Sequence, residues 1–132
     1  MYVRFEGQVP NVGARSRLGI FLLAGELRDH PETPSWVHDE VQAHLGWLNA
    51  NLHVPDVLML NDNMTAICWF KSGAHEPMKR VRALKALLEE FGYTIDVITS
   101  SAPGTIVYED DWQVAAKPVR RVRRRRALPV HA

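Results

Sequence analysis

In the first half of the chain, one short segment alternates apolar and polar residues, and two longer segments carry apolar residues at helical spacing. This pattern predicts one strand followed by two helices. Residues 2–6 alternate and include β-branched and aromatic side chains, so they predict a strand. A first helix over residues 18–28 is predicted from the spacing of Leu18, Phe21, Leu22 and Leu27. A second helix begins at Thr33-Pro34 and ends before Pro55. Its one-sided apolar stripe consists of Val37, Val41, Leu45, Leu48 and Leu52.

The second half of the chain is dominated by strand patterns. Residues 65–70 are almost all apolar, which is typical of a central strand buried on both faces. A third helix begins near His75, and Gly92 closes it. Strand character returns over residues 93–99, so these three elements predict a β-α-β unit. Residues 105–108 and 112–116 predict a hairpin connected by Glu109-Asp110-Asp111.

The predicted element order is β-α-α-β-α-β-β-β. It indicates an α/β (α+β) fold in which a single-layer mixed sheet of about five strands is covered by about three helices. A length of 132 residues suits one domain, and we place that domain at residues 1–119. Residues 120–132 follow as an Arg-rich, disordered C-terminal tail.

The amino-acid composition indicates that the domain can form a core and limits the cellular compartments in which we expect it. Apolar residues make up 46% of the chain and charged residues 23%, so a hydrophobic core can form. No run approaches the ~20 apolar residues of a membrane span, which argues against a membrane partner. Cys68 is the single cysteine, which excludes an intramolecular disulfide and predicts a reducing, cytoplasmic location.

The charges are segregated along the chain. Residues 1–116 hold all fifteen acidic residues and nine basic ones, for a net charge of −6, whereas residues 117–132 hold seven basic residues and no acid. The tail arginines would contact phosphates of nucleic acid without sequence preference; they are Arg120, Arg121, Arg123, Arg124, Arg125 and Arg126. Two alternatives stay open: the tail folds back on the acidic body, or it is a passive extension.

Several residues that could carry chemistry have simpler interpretations. His38, His44 and His53 are six and nine residues apart, not the four that a helical zinc pair needs, so we expect no metal site. Cys68 lies within the predicted central strand, which predicts a buried and unreactive thiol. The acidic triplet at residues 109–111 is typical of a solvated turn, with cation binding or acid–base chemistry as the alternative.

Short segments of the chain resemble a group of small bacterial proteins that have no assigned activity. They begin with the residues Met-Tyr-Val-Arg-Phe and continue with Gly19-Ile-Phe, Trp47-Leu-Asn, Cys68-Trp-Phe-Lys, Pro103-Gly-x-Ile-Val-Tyr-Glu-Asp and Gln113-Val-Ala-Ala. The likeness runs over residues 1 to about 119, so it implies a domain that ends near Val119. It implies no function.

A second resemblance concerns the spacing of Arg4, Tyr108 and Gln113. In small ADP-ribosyltransferases a first-strand Arg or His holds NAD, and a late-strand Glu or Gln activates the acceptor. The resemblance would make these three residues catalytic and NAD the cofactor. The chain departs from the family where a Ser-Thr-Ser-like segment is expected, because residues 69–72 read Trp-Phe-Lys-Ser. A solvated charge on an edge strand explains Arg4 equally well.

The function favoured by the sequence is a binding or regulatory module without enzymatic activity or cofactor. Trp36, Trp47 and Trp112 are its candidate partner-binding residues, since tryptophan is enriched at interfaces. The partner is an unidentified protein, and a homodimer is left open. A pocket that joins Arg4, Tyr108 and Gln113 would favour the transferase, whereas a flat or filled surface would favour the module.

Overall fold

A computed structural model describes residues 1–10, 17–53 and 66–119, and its elements follow the predicted order. The helices are α1 (Ile20–Asp29), α2 (Ser35–Asn51) and α3 (His75–Glu90). The strands are β1 (Tyr2–Gln8), β2 (Leu18–Gly19), β3 (Ile67–Lys71), β4 (Thr94–Ser100), β5 (Thr105–Glu109) and β6 (Gln113–Lys117). The predicted combination of one sheet and three helices is therefore confirmed. The predicted tail, residues 120–132, lies outside the described residues.

The sheet is organised around β1. One edge of β1 pairs along its whole length with β4, from Tyr2 opposite Ser100 to Gln8 opposite Thr94. The other edge is divided, because its first residues pair with β3 and residues 6 and 7 pair with β2. The sheet then continues from β3 to β6 and from β6 to β5. All five ladders among these strands are antiparallel, whereas the sequence pattern had indicated a mixed sheet.

The predicted β-α-β unit is wrong in one respect. Helix α3 does connect β3 to β4, but β1 lies between these two strands instead of leaving them adjacent. Both strands run antiparallel to β1, so they are parallel to each other without sharing a ladder. The physical reason is that β1 buries Val3 and Phe5 and therefore occupies a central position, with a neighbour on each side.

The helices cover one face of the sheet. Val3 pairs with Phe70 and Phe70 pairs with Gln113, so these three side chains point to the same, helix-covered side. The predicted stripe of α2 is confirmed, because Val37, Val41, Leu45 and Leu48 are all buried. In α3 the corresponding buried residues are Pro77, Met78, Val81, Leu84 and Leu88.

Helix α1 differs from its prediction in both its start and its buried face. Leu18 and Gly19 pair with Gly7 and Glu6 as β2, so the helix begins only at Ile20. Its buried residues are Ile20, Leu23, Ala24 and Leu27, which follow the i, i+3, i+4, i+7 spacing of one helical face. The predicted stripe included Phe21 and Leu22, which instead lie on the outer side.

None of the described helices has the length and hydropathy needed to cross a membrane.

Candidate functional site

Phe21 stands where three adjoining cavities meet. It lies in the first turn of α1 and is 41% exposed, and its ring lies against the ring of Phe70 with centroids 6.5 Å apart. The next residue of the helix, Leu22, is 66% exposed. We call Phe21 and Leu22 the α1 patch. Apolar side chains that are exposed together beside a concave surface mark an interaction site more often than single exposed ones do.

The three cavities surround the α1 patch. The sheet cleft, of about 120 Å³, lies between α1 and the strands β1 and β3. The hairpin cleft, of about 210 Å³, lies between the end of α2 and the β5–β6 hairpin. Phe21, Cys68 and Gln113 line both clefts, so the two adjoin each other. The helix groove runs between α1 and α2, and Phe21 and Asn49 are among its lining residues. We call the three together the Phe21 groove.

The groove exists because the helices end short of the β3–β6–β5 part of the sheet. The pairing of Cys68 with Ala115, and of Ala115 with Tyr108, places these side chains on the helix-covered face. Helix α1 begins at Ile20 and α2 ends at Asn51, and the described helices leave the Cys68 side of this face open. Cys68 is therefore exposed there, next to the buried Ala115.

The structure overturns the prediction that Cys68 is buried. Alternation along β3 places Cys68 on the same side as Phe70, but only Phe70 is covered, and the cysteine is exposed at the floor of the groove. Its apolar walls still act on the thiol: desolvation raises the pKa of Cys68, while the Arg4 guanidinium acts in the opposite direction. A raised thiol pKa keeps the group protonated at neutral pH and makes it a weak nucleophile.

Arg4 is held by two contacts. Its Nε donates to Glu6 Oε1 at 2.9 Å, and one of its terminal nitrogens donates to the backbone carbonyl of Cys68 at 3.3 Å. This carbonyl lies where β1 changes partner from β3 to β2, so the guanidinium bridges a gap in the sheet. Glu6 also accepts from Arg17 Nε at 2.8 Å, and Arg17 contacts Asp96. Burial by itself raises the pKa of Glu6, but the bonds from Arg17 and Arg4 outweigh it, and the pKa is lowered.

The β5–β6 connection is organised by Asp110. Its Oδ1 accepts from the backbone N–H groups of Trp112 and Gln113 at 2.9 and 3.0 Å. Its Oδ2 accepts from the Tyr108 hydroxyl at 2.7 Å and from Gln113 Nε2 at 3.3 Å. Burial by itself raises the pKa of Asp110, yet these bonds outweigh it and lower the pKa. The acidic turn is thus built around one partly buried carboxylate, whereas the sequence had suggested that it was solvated throughout.

Gln113 ties this turn to α2. It is only 8% exposed, and its Nε2 donates to the backbone carbonyl of His53 at 2.8 Å. The His53 ring lies 5.9 Å from the Tyr108 ring, which closes the far end of the hairpin cleft. The side chains of Tyr108 and Gln113 are therefore committed to internal hydrogen bonds. The Asp110 bond also raises the pKa of Tyr108, so its hydroxyl stays protonated.

The structure distributes the three transferase candidates over two cavities. Arg4 and Gln113 line the sheet cleft, and Tyr108 and Gln113 line the hairpin cleft. Each of the three donates a hydrogen bond to an acceptor within the protein. Both clefts are smaller than the ~300–1,000 Å³ of typical cofactor pockets, whereas the helix groove, at about 490 Å³, is within that range but is lined by none of the three candidates. Over residues 1–10, 17–53 and 66–119, no group of three or more His, Cys, Asp or Glu side chains could hold a metal ion.

The tryptophans do not form one patch. Trp47 and Trp112 pack together with ring centroids 5.9 Å apart and rest against the core, and the Arg80 guanidinium lies 5.2 Å from the centre of the Trp47 ring. Trp36 is 56% exposed at the start of α2, eleven residues before Trp47 and thus about 16 Å away along the helix axis. The predicted arginine contacts, residues 120–126, lie outside the part of the chain that the structure describes.

Sequence reasoning missed the α1 patch because it assigned Phe21 and Leu22 to the core. A signal was present: Ile20, Leu23, Ala24 and Leu27 alone complete a buried helical face, so Phe21 and Leu22 are apolar residues in excess of what the core needs.

Comparison with known proteins identifies no relative, since no family model, no curated protein and no solved structure matches the chain.

Proposed function

We propose that this protein is a binding module that takes apolar side chains of a partner protein into the Phe21 groove. The observation that carries the proposal is the position of Phe21, which is exposed outside the buried stripe of α1 and lines all three cavities. The part of the Phe21 side chain that stays exposed, and the largely exposed Leu22, add nothing to folding stability. Their exposure is explained by a partner that covers them.

The size of the clefts favours side chains over a large ligand. An apolar cavity of about 150 Å³ accommodates a benzene ring, so cavities of about 120 and 210 Å³ each suit a single aromatic or branched aliphatic side chain. Because the two adjoin at Phe21, a partner segment with two apolar anchors fits best. A dinucleotide with two phosphates is too large and too charged for either.

Charge supports a partner of basic character. Residues 1–116 carry a net charge of −6, and Glu26 and Asp29 lie at the rim of the helix groove. Arg28, on the same rim, is bonded to Asp29 at 2.9 Å, so these two charges offset each other and Glu26 is the remaining charge of the rim. Basic residues beside the apolar anchors would raise the association rate and orient the partner.

The competing proposal is ADP-ribosyl transfer at Arg4, Tyr108 and Gln113 with NAD. It rests on spacing and on the fact that neighbouring cavities share Gln113. Arg4 Nε donates to Glu6 and the Tyr108 hydroxyl donates to Asp110, so these two donors are already used within the protein. The binding module requires no donor from either residue, and we favour it for that reason.

Selection of peptides tests the proposal while the partner is still unidentified. The full chain is immobilised and used to enrich a random peptide library. We expect enriched peptides to share two aromatic or aliphatic residues and to lose at least tenfold in affinity for the F21A variant. The W36A variant, which removes a more exposed aromatic ring far from the groove, should bind as the unmodified chain does. Peptides that bind F21A normally would contradict the proposal.

The Arg-rich tail supports a second, separate proposal. Six arginines within residues 120–126 would give the protein contact with nucleic acid through phosphates, in the cytoplasm, without readout of sequence. No aromatic residue is interleaved with them, which disfavours base stacking. This contact would add to the function of the groove and does not depend on it.

A further inference from the structure

Strand β4 is an outer strand of the sheet. Among the described strands it pairs only with β1, in an unbroken ladder of seven residue pairs. The opposite outer strand, β5, is different, because its ladder with β6 shifts register between Ile106 and Tyr108. Such irregularities protect an edge from pairing with another chain, since they twist its hydrogen-bonding groups out of line. Strand β4 has no such irregularity.

The side chains of β4 do not protect its edge either. Its sequence, Thr-Ile-Asp-Val-Ile-Thr-Ser, contains no proline and no lysine. The one charged residue, Asp96, is bound by Arg17, which neutralises it. At the centre of the strand Val97 is 41% exposed, so an apolar side chain lies open at the middle of an edge that no other described strand pairs. An edge of this kind is a template for a further strand.

We propose that β4 pairs antiparallel with β4 of a second copy of this chain, around a two-fold axis at Val97, so that the two sheets become one. The sequence of the strand is self-complementary in this register. Val97 faces Val97 of the partner subunit, and Asp96 faces Ile98 of the partner subunit. Directly opposite side chains contact each other at Cβ separations of about 4.5–5.5 Å, so the valines cover each other.

A second copy explains the strand better than an unrelated partner strand does. In the two-fold register no like charges are opposite each other, because the two Asp96 side chains are displaced by two residues. The polar ends also match, with Thr94 facing Ser100 of the partner subunit. The proposal is independent of the Phe21 groove, since Phe21 lies on α1 and β4 is at the far edge of the sheet beyond β1.

Sedimentation equilibrium of the full chain tests the association. We expect the weight-average mass to rise with concentration from that of one 15.0 kDa chain towards about 30 kDa. The V97K variant should associate at least tenfold more weakly. The matched control is I106K, which changes an apolar side chain of the same 41% exposure on the β5 edge and should leave the dimer intact. A chain that stays monomeric, or a dimer weakened equally by both variants, would overturn the proposal.

Cysteine cross-linking tests the register. In a C68S background, which removes the single native cysteine, V97C should form a disulfide-linked dimer under mild oxidation. The T94C variant should not, because two copies of position 94 would lie about 20 Å apart along the paired strands. Cross-linking of T94C in place of V97C would contradict the two-fold axis at Val97. The F21A variant should cross-link through V97C unchanged, which separates this proposal from the function of the groove.

Discussion

The ring of Phe21 meets the ring of Phe70 edge to face, with their planes inclined at 72°. One side of this contact belongs to the core, because Phe70 is 8% exposed and packs with Phe5. The other side belongs to the surface, because Phe21 is 41% exposed. The pair therefore marks the boundary at which the core of this domain becomes a binding surface, and truncating its two members should have different consequences.

Replacing Phe70 by alanine should cost about 3–5 kcal/mol of unfolding free energy, as expected for a buried phenylalanine. Replacing Phe21 should cost about 1 kcal/mol, because less apolar surface leaves water there on folding. Urea unfolding measures both. Equal losses for F70A and F21A would show that Phe21 belongs to the core and would remove the case for its function.

Asp110 should stabilise the β5–β6 hairpin in a pH-dependent manner. The D110N variant loses a charged acceptor for four hydrogen bonds, so it should unfold with about 2 kcal/mol less free energy at neutral pH. The native pKa of Asp110 is lowered, so its contribution is complete above the unfolded pKa of about 4 and is lost as the pH falls through the native pKa.

The measurement for Asp110 is the difference in unfolding free energy between the unmodified chain and D110N as a function of pH. This difference should be constant between about pH 5 and 7 and should shrink below about pH 4. The control is D111N, which changes the exposed neighbouring carboxylate and should have little effect. A pH-independent difference would mean that the charge of Asp110 does not stabilise the turn.

Cys68 should react with a thiol reagent in the folded protein, in contrast to what the sequence alone predicts. Because the thiol is exposed but its pKa is raised, the labelling rate should rise about tenfold per pH unit from pH 7 to 9 without a plateau. A peptide selected on the Phe21 groove should slow the reaction, since Cys68 lies at the floor of both clefts. Labelling that requires denaturant would show that the groove is closed.

The Arg-rich tail should bind DNA and RNA of unrelated sequence with similar affinity. Affinity should fall steeply between about 50 and 200 mM salt, because each phosphate contact releases counterions. Replacing Arg123, Arg124, Arg125 and Arg126 with alanine should flatten the log–log slope. Binding should also be weaker than that of the isolated tail peptide, because the body of net charge −6 competes for the same arginines. A flat slope in the unmodified chain would end the nucleic-acid proposal.

The sequence predicts a helix best where the apolar residues at helical spacing are also the residues that become buried. The stripe of α2 is buried as expected, since residues such as Val41 and Leu45 repeat at helical spacing and the helix has few large apolar residues on its other faces. In α1 apolar residues occupy two faces, and spacing alone could not tell the buried one, with Ile20 and Leu23, from the exposed one, with Phe21 and Leu22.

Other features depend on contacts distant in sequence and leave no local pattern. The placement of β1 between β3 and β4 joins residues more than sixty positions apart, so the β-α-β pattern could not reveal it. From the sequence, Arg4 could be interpreted as a solvated charge. Its acceptor, the Cys68 carbonyl, is accessible because β1 changes its partner strand from β3 to β2 at this point. Likewise, the exposure of Cys68 follows from where two helices end, which no property of β3 encodes.

The central claim is that apolar side chains bind in the Phe21 groove, and an NMR titration of the ¹⁵N-labelled full chain tests it most directly. On addition of a selected peptide, we expect the largest amide shifts at Phe21, Cys68 and Gln113, which line both clefts, and none at Trp36. Addition of NAD should leave the same amides unshifted. Saturable shifts with NAD at Arg4, Tyr108 and Gln113, or peptide-induced shifts confined to residues outside the groove, would contradict the account.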